Sequence, residues 1–251
     1  MSIMSRVQSA TSQGSSSISC ENCSVRHKAV CAAMSRDEIE RLNSIAHFKT
    51  FPPGQLVLSD SEATDSFGTI VSGVIKLSKS LADGRRQIVG LLFPSDFLGR
   101  PMRRTSPYDA ITVTEVKLCA FPRSRFEALI KDVPALEHHM LSHALDELDA
   151  AQEWLLLLGR KTAAEKVASL LLLMARRMAV VGCANHNGIQ GVTFDLPLSR
   201  GEMAEFLGLT IETVSRQLTK LKVAGAIELH GVRGITVPDL ARLDCASEQG
   251  D

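Results

Sequence analysis

The chain of 251 residues carries no excess of either charge: 28 lysines and arginines stand against 28 aspartates and glutamates. The chain-wide basic field that draws many proteins to nucleic acid is therefore missing, and any DNA contact must come from a local patch. No apolar run approaches the roughly 18–20 residues of a membrane span. The densest stretch, Val167 to Met174, ends at Arg176 and Arg177. The opening MSIMSRVQSATSQGSSSIS lacks the apolar core of a secretion signal and is rich in Ser, Gln and Gly. Residues 1–19 thus read as a disordered lead-in to a soluble, cytoplasmic protein. No internal repeat is visible at any solenoid period.

Six cysteines are present, at positions 20, 23, 31, 119, 183 and 245. Without an export signal there is no oxidising compartment for disulfides, so the crowding of Cys20, Cys23 and Cys31 within twelve residues favours metal or redox chemistry. Cys183 and Cys245 have no neighbouring cysteine and read as incidental.

The length suits two domains. Ser35 and Glu38 fit a capping box opening a short amphipathic helix, with Ile39, Leu42 and Ile45 on one face. From Phe48 to Phe121 short β-branched runs (QLVLS, FGTIVSG, VIKLSKS, RQIVGLLF, AITVTEV, KLCAF) alternate with turn formers, as in an antiparallel barrel or jelly roll. Beyond Pro134 a helix without internal Gly or Pro is expected to about Leu158. Along it Leu141, Ala144, Leu148, Ala151, Leu155 and Leu158 form a heptad seam, with small alanines that let two backbones approach. The same spacing also suits a single helix packed on its own barrel. No Lys or Arg occurs between Lys131 and Arg160, whereas Glu137, Asp146, Glu147, Asp149 and Glu153 are acidic. Two such helices repel, which makes the pairing weak enough to be switched.

The segment SRGEMAEFLGLTIETVSRQLTKLKVAGAI has the anatomy of a helix-turn-helix. Ser199 caps the first helix, Ala204 allows a close crossing, Gly208 occupies the turn and Thr210 caps the second helix. Val214, Leu218 and Leu221 face inward. On the other face, Glu212 suits cytosine N4, Arg216 suits guanine O6 and N7, and Ser215 suits base or phosphate; Thr213 lies beside them. Lys220, Lys222 and Arg233 suit phosphates. The runs AIELH and GITVPD, separated by glycines, read as a β-hairpin wing.

CENCSVRHKAVC offers three thiolates from one short loop in a C-x2-C-x7-C arrangement. Soft tetrahedral sites of this kind hold zinc or iron–sulfur, and both need a fourth ligand. His27 is the local candidate and gives a Cys3His zinc site. Cys119 is the distant one: in EVKLCAF strict alternation puts Val116, Leu118 and Ala120 on one face and Cys119 on the other, turned away from a barrel interior. A lone thiol there is also common as simple packing. A dithiol enzyme at Cys20 and Cys23 would need a βαβ setting, which is absent, and no enzyme is expected.

Taken together, CENCSVRHKAVC, LLFPSDFLGRP, Cys119, LLLLGRKTAAEKVASLLL and LGLTIETVSRQL resemble the CRP/FNR family of transcription regulators, and within it the FNR-type oxygen sensors, over roughly Cys20 to Pro238. The resemblance implies an α+β chain: a cluster-binding loop and cyclic-nucleotide-binding-type jelly-roll barrel (20–133), a long dimerisation helix (134–160) and a winged helix-turn-helix (161–251). It implies a 4Fe-4S cluster on Cys20, Cys23, Cys31 and Cys119. It further implies a homodimer on a TTGAT-N4-ATCAA palindrome read by Glu212, Ser215 and Arg216, and activation through RNA polymerase, for which the turn Asp83-Gly84-Arg85 is a candidate surface. Cyclic-nucleotide binders carry Gly-Glu and Arg-Ser or Arg-Thr pairs, whereas this chain has Gly99-Arg100 and Asp109-Ala110. An acid there repels phosphate, so no cyclic nucleotide is expected. The competing reading is a regulator of the same fold sensing a small ligand or haem, with structural zinc on the N-terminal cysteines.

Overall fold

The computed structural model describes residues 20–180 and 191–248. The Ser-rich lead-in and Cys183 lie outside them. A 3-10 turn (Cys20–Asn22) opens the described chain, and α1 (Arg36–Ile45) follows behind the expected capping box of Ser35 and Glu38.

Eight strands build the barrel: β1 (His47–Phe51), β2 (Leu56–Leu58), β3 (Ser66–Ser72), β4 (Ile75–Ser80), β5 (Arg86–Leu92), β6 (Phe97–Leu98), β7 (Asp109–Thr112) and β8 (Val116–Pro122). They form two antiparallel four-stranded sheets, β1-β8-β3-β6 and β2-β7-β4-β5. Ile70, Leu98, Val116, Leu118 and Ala120 from the first sheet meet Ile75, Leu77, Leu92 and Ala110 from the second, so the interior is filled by apolar side chains. This is the double-sheet arrangement that closes off most strand edges. Gly73 is indispensable at the β3–β4 turn. Its φ is +88°, and a Cβ there would lie 2.1 Å from the Glu115 carbonyl oxygen.

The outer face of the first sheet is covered rather than wet. The N-terminal segment, α1, α2 (Arg123–Asp132) and the start of α3 (Pro134–Arg160) lie over it. Phe126 of α2 is the centre of that layer, stacked on Phe121 and Phe97 at 5.0 and 5.4 Å and edge-on to Phe67 at 5.7 Å. Arg123 lies over the Phe67 ring, its guanidinium carbon 4.4 Å from the centroid.

α4 (Ala163–Val180) leads into the C-terminal module: β9 (Val192–Asp195), α5 (Arg200–Leu207), α6 (Ile211–Val223), β10 (Glu228–His230), β11 (Gly234–Val237) and α7 (Leu240–Glu248). The expected two-stranded wing is a three-stranded sheet, because β9 adds to β11 with Phe194 opposite Ile235. No helix among the described residues is long and apolar enough to cross a membrane.

Replacing Phe126 with Ala removes the ring shared by three others and should lower stability by about 3–5 kcal/mol in denaturant unfolding. A loss below about 1 kcal/mol would mean the layer repacks without it.

Candidate metal centre and nucleic-acid interface

Strand alternation in β8 acts as expected. Val116, Leu118 and Ala120 enter the barrel core, while Cys119 and Phe121 enter the layer on the opposite face. Cys119 is nevertheless buried, because the segment carrying Cys20, Val25, Ala29, Val30 and Cys31 lies across it. Tight backbone turns hold that segment: Arg26 N–H donates to the Cys23 carbonyl and Ala29 N–H to the Val25 carbonyl, while Cys20 N–H reaches Asn43 Oδ1 of α1 at 3.3 Å. The structure thus brings the four cysteines to one place. His27, the local alternative, is exposed to solvent.

All four are free thiols. Burial pushes the Cys31 thiol up to about 11, with Cys20 and Cys23 adding repulsion. Burial likewise raises Cys20 and Cys119; for Cys119 the other three cysteines are the remaining causes. Arg26 is the one basic group that pulls Cys20 and Cys31 the other way. Buried thiols such as Cys20, Cys31 and Cys119, which resist ionisation one by one, are suited to give up protons together to a cationic centre. Among the described residues, the one group of ligand-type side chains with all atoms within 4.8 Å of one another is Asp96, His143 and Glu147, so no three of these sulfurs sit that close. A tetrahedral zinc, with bonds of about 2.3 Å, would draw its sulfurs to about 3.8 Å. An all-sulfur donor set of this kind suits zinc or an iron–sulfur cluster.

The Asp96, His143 and Glu147 group was not anticipated, and it joins three parts of the chain. Asp96 lies in the turn before β6, His143 and Glu147 belong to α3, and Arg177 of α4 donates to Asp96 Oδ1 at 3.1 Å. Burial raises the Asp96 carboxyl against the pull of Arg177. Since Arg177 already stands where a cation would, this group is a structural junction.

The reading surface follows from local signals. Ser199 and Glu202 make a full capping box at the start of α5, and Gly208 takes the left-handed turn at φ +63°. Thr210 caps α6, accepting from Thr213 N–H at 3.2 Å. Val214, Leu218 and Leu221 are buried, leaving Glu212, Arg216, Lys220 and Lys222 exposed and Ser215 half-buried. The Glu212 carboxyl is held below its usual range by its own backbone N–H at the helix start and by the Thr210 hydroxyl, which keeps it an acceptor. The Thr213 hydroxyl lies 3.1 Å from Thr210 Oγ1. Arg233 is exposed beside the wing. Sequence reading missed Arg200, whose Nη1 donates to Ser215 Oγ at 3.2 Å and orients it.

Along α3, Leu141, Leu148 and Leu155 are 59%, 52% and 70% exposed, and Ala144 and Ala151 lie open between them. Leu145 extends the same stripe. Leu158 is the exception: it is half-buried against the core of the C-terminal module, so the open seam ends at Leu155. Cys245 is exposed on α7, with no other cysteine in its helix.

Residues 48–133 match the cyclic nucleotide-binding domain and residues 165–246 the Crp-like helix-turn-helix domain. The chain is 47% identical over 232 residues to the transcriptional activator protein FnrL of Cereibacter sphaeroides, covering 92% of both proteins. The chain belongs to the CRP/FNR family of transcription regulators. Other members align over similar lengths. The nitrogen fixation regulation protein FixK of Bradyrhizobium diazoefficiens is 38% identical over 226 residues, covering 90% of this chain and 92% of that protein. The structure of FixK2 from Bradyrhizobium japonicum superposes with a TM-score of 0.73 at 29% identity, covering 82% of this chain and all of that one.

For a CRP/FNR protein whose α6 reads base edges, Arg216→Ala should cost about 1–3 kcal/mol on the specific duplex and much less on random DNA. Titrations of both duplexes at one salt concentration measure this, and equal losses would make Arg216 a phosphate clamp.

Proposed function

We propose that this regulator is an oxygen-responsive activator of anaerobic or microaerobic genes that holds a 4Fe-4S cluster on Cys20, Cys23, Cys31 and Cys119. The observation that carries the reading is the meeting of three thiols from the N-terminal segment with one from β8 in one apolar layer. The cluster, when bound, supplies sensitivity to dioxygen, which dismantles it. The chain's own residues do the rest. Val25, Ala29, Val30 and Phe121 exclude water around the sulfurs. Leu136, at the root of α3, is packed into the same layer, so the state of the thiol layer reaches the helix that carries the exposed stripe. Pairing of two such stripes would set two α6 helices on a palindrome of TTGAT-N4-ATCAA type.

Support for the pathway comes from the relatives: FnrL is named a transcriptional activator and FixK a nitrogen fixation regulator. Further relatives are named anaerobic regulatory proteins. Activation implies a contact with RNA polymerase, for which the Asp83-Gly84-Arg85 turn, stiffened by the Arg85–Asp83 ion pair at 2.8 Å, remains the candidate. Cyclic-nucleotide sensing is disfavoured: the barrel interior is apolar, and the Asp109 carboxylate that would repel a phosphate is fixed by Asp60 N–H at 2.8 Å. DNA as partner agrees with a place in the cytoplasm.

Anaerobically purified protein should contain iron and acid-labile sulfide in equal amounts, and Cys119→Ala should abolish both as fully as Cys23→Ala. Stoichiometric zinc without sulfide, or a haem absorption band, would replace this reading with ligand sensing. Full sulfide retention in Cys119→Ala would return that thiol to simple packing.

A further inference from the structure

The helix that supports the reader is fastened to the barrel of its own chain. Lys76 of β4 donates to Glu202 of α5 at 2.7 Å, with side chains only 18% and 23% exposed. At the other end of α5, Gln87 of β5 donates to the Phe206 carbonyl at 3.1 Å. Trp154 of α3 stacks on the Phe206 ring, with centroids 4.3 Å apart and planes at 18°. Between these ends Ile88 is fully buried among Met203, Phe206 and Leu207. Ile88 reaches them because the β4–β5 ladder slips by one residue: Leu77 faces Gly90 and Ser78 faces Ile88, leaving Val89 as a bulge. The slip turns Ile88 onto the outer face of the sheet that Lys76 and Leu91 share.

Each fastening bears on a group with a second duty. Glu202 also accepts from Ser199 N–H and Oγ at 2.8 Å, so the lysine grips the capping box that starts α5. Between the two members of the box, Arg200 orients Ser215 on α6. The Phe206 carbonyl lies in the last turn of α5, where helix carbonyls lack partners within the helix. Barrel, α5 and reader are thus joined through named polar contacts, and the dimer helix adds an aromatic one.

A protein that reads a palindrome as a pair must hold its two reader helices at one separation and one rotation. Each base pair added between half-sites changes the separation by about 3.4 Å and the rotation by about 35°. We propose that Lys76 and Gln87 are positioning residues that fix the angle of α5 and α6 to the dimer axis, and with it the half-site spacing that the protein accepts. This rests on the palindrome reading above. Neither residue need touch DNA.

The test uses the full-length, iron-loaded protein and duplexes in which TTGAT and ATCAA are separated by three to six base pairs, with a scrambled duplex as reference. The wild type should bind one spacing best. Lys76→Met and Gln87→Met should each shrink the ratio between best and next-best spacing by about fivefold, near the effect of losing one half-buried contact, while the dimer stays intact. Lys76→Arg, which keeps the cation, should restore most of the ratio. An unchanged ratio in both methionine variants would overturn the inference, as would a uniform loss on every duplex including the scrambled one. A wild type that binds the palindrome no better than scrambled DNA would instead defeat the palindrome reading on which the inference stands.

Discussion

Three of the four cysteines in this layer, Cys20, Cys31 and Cys119, are buried, and burial disfavours their thiolates unless a cation receives them. Each thiolate formed alone would face the cost of leaving water and the repulsion of its neighbours, which is why Cys31 is pushed to about 11 and Cys20 and Cys119 are raised with it. In the proposed reading the layer has two states, neutral with protons on the sulfurs or closed around a multivalent centre that replaces them. Because three of these thiols come from one turn-rich segment and the fourth from β8, a centre held by them would tie residues nearly a hundred positions apart.

That tie matters because of what shares the layer. Phe126, Leu129 and Val133 lead directly through α2 into Leu136 of α3, and beyond Leu136 the helix presents leucines to solvent. In the proposed reading, this apolar stripe on a helix flanked by acids is the surface through which two chains pair and separate. Farther along, Leu157 and Leu158 enter the core of the C-terminal module, and Trp154 stacks on α5. One helix therefore borders the thiol layer at its start and the reading module at its end.

The legible parts of this molecule were the local ones. Period-two alternation in EVKLCAF correctly turned Cys119 away from the barrel interior, and the caps at Ser35, Ser199 and Thr210 with the left-handed Gly208 are each written within four residues. What covers Cys119 was not readable, because burial by a segment some ninety residues earlier leaves no mark in the strand itself. Heptad spacing does not distinguish a partner's core from the chain's own, and Leu158 is half-buried against the latter while Leu141, Leu148 and Leu155 are exposed. β9 escaped notice because its pairing with β11 is made across the whole helix-turn-helix. Lys76 and Glu202 are 126 positions apart, Asp96 and Arg177 are 81 apart, and neither pair carries any motif.

In the proposed reading, the thiol layer governs whether two chains can hold DNA. The most direct measurement takes one anaerobic preparation, splits it, strips iron from one half with a chelator, and follows sedimentation and palindrome binding in both. The account predicts pairing and tight binding in the iron-loaded half, and separated chains with binding reduced to that of random DNA in the other. Iron-free protein that still pairs and binds its palindrome equally well would contradict it.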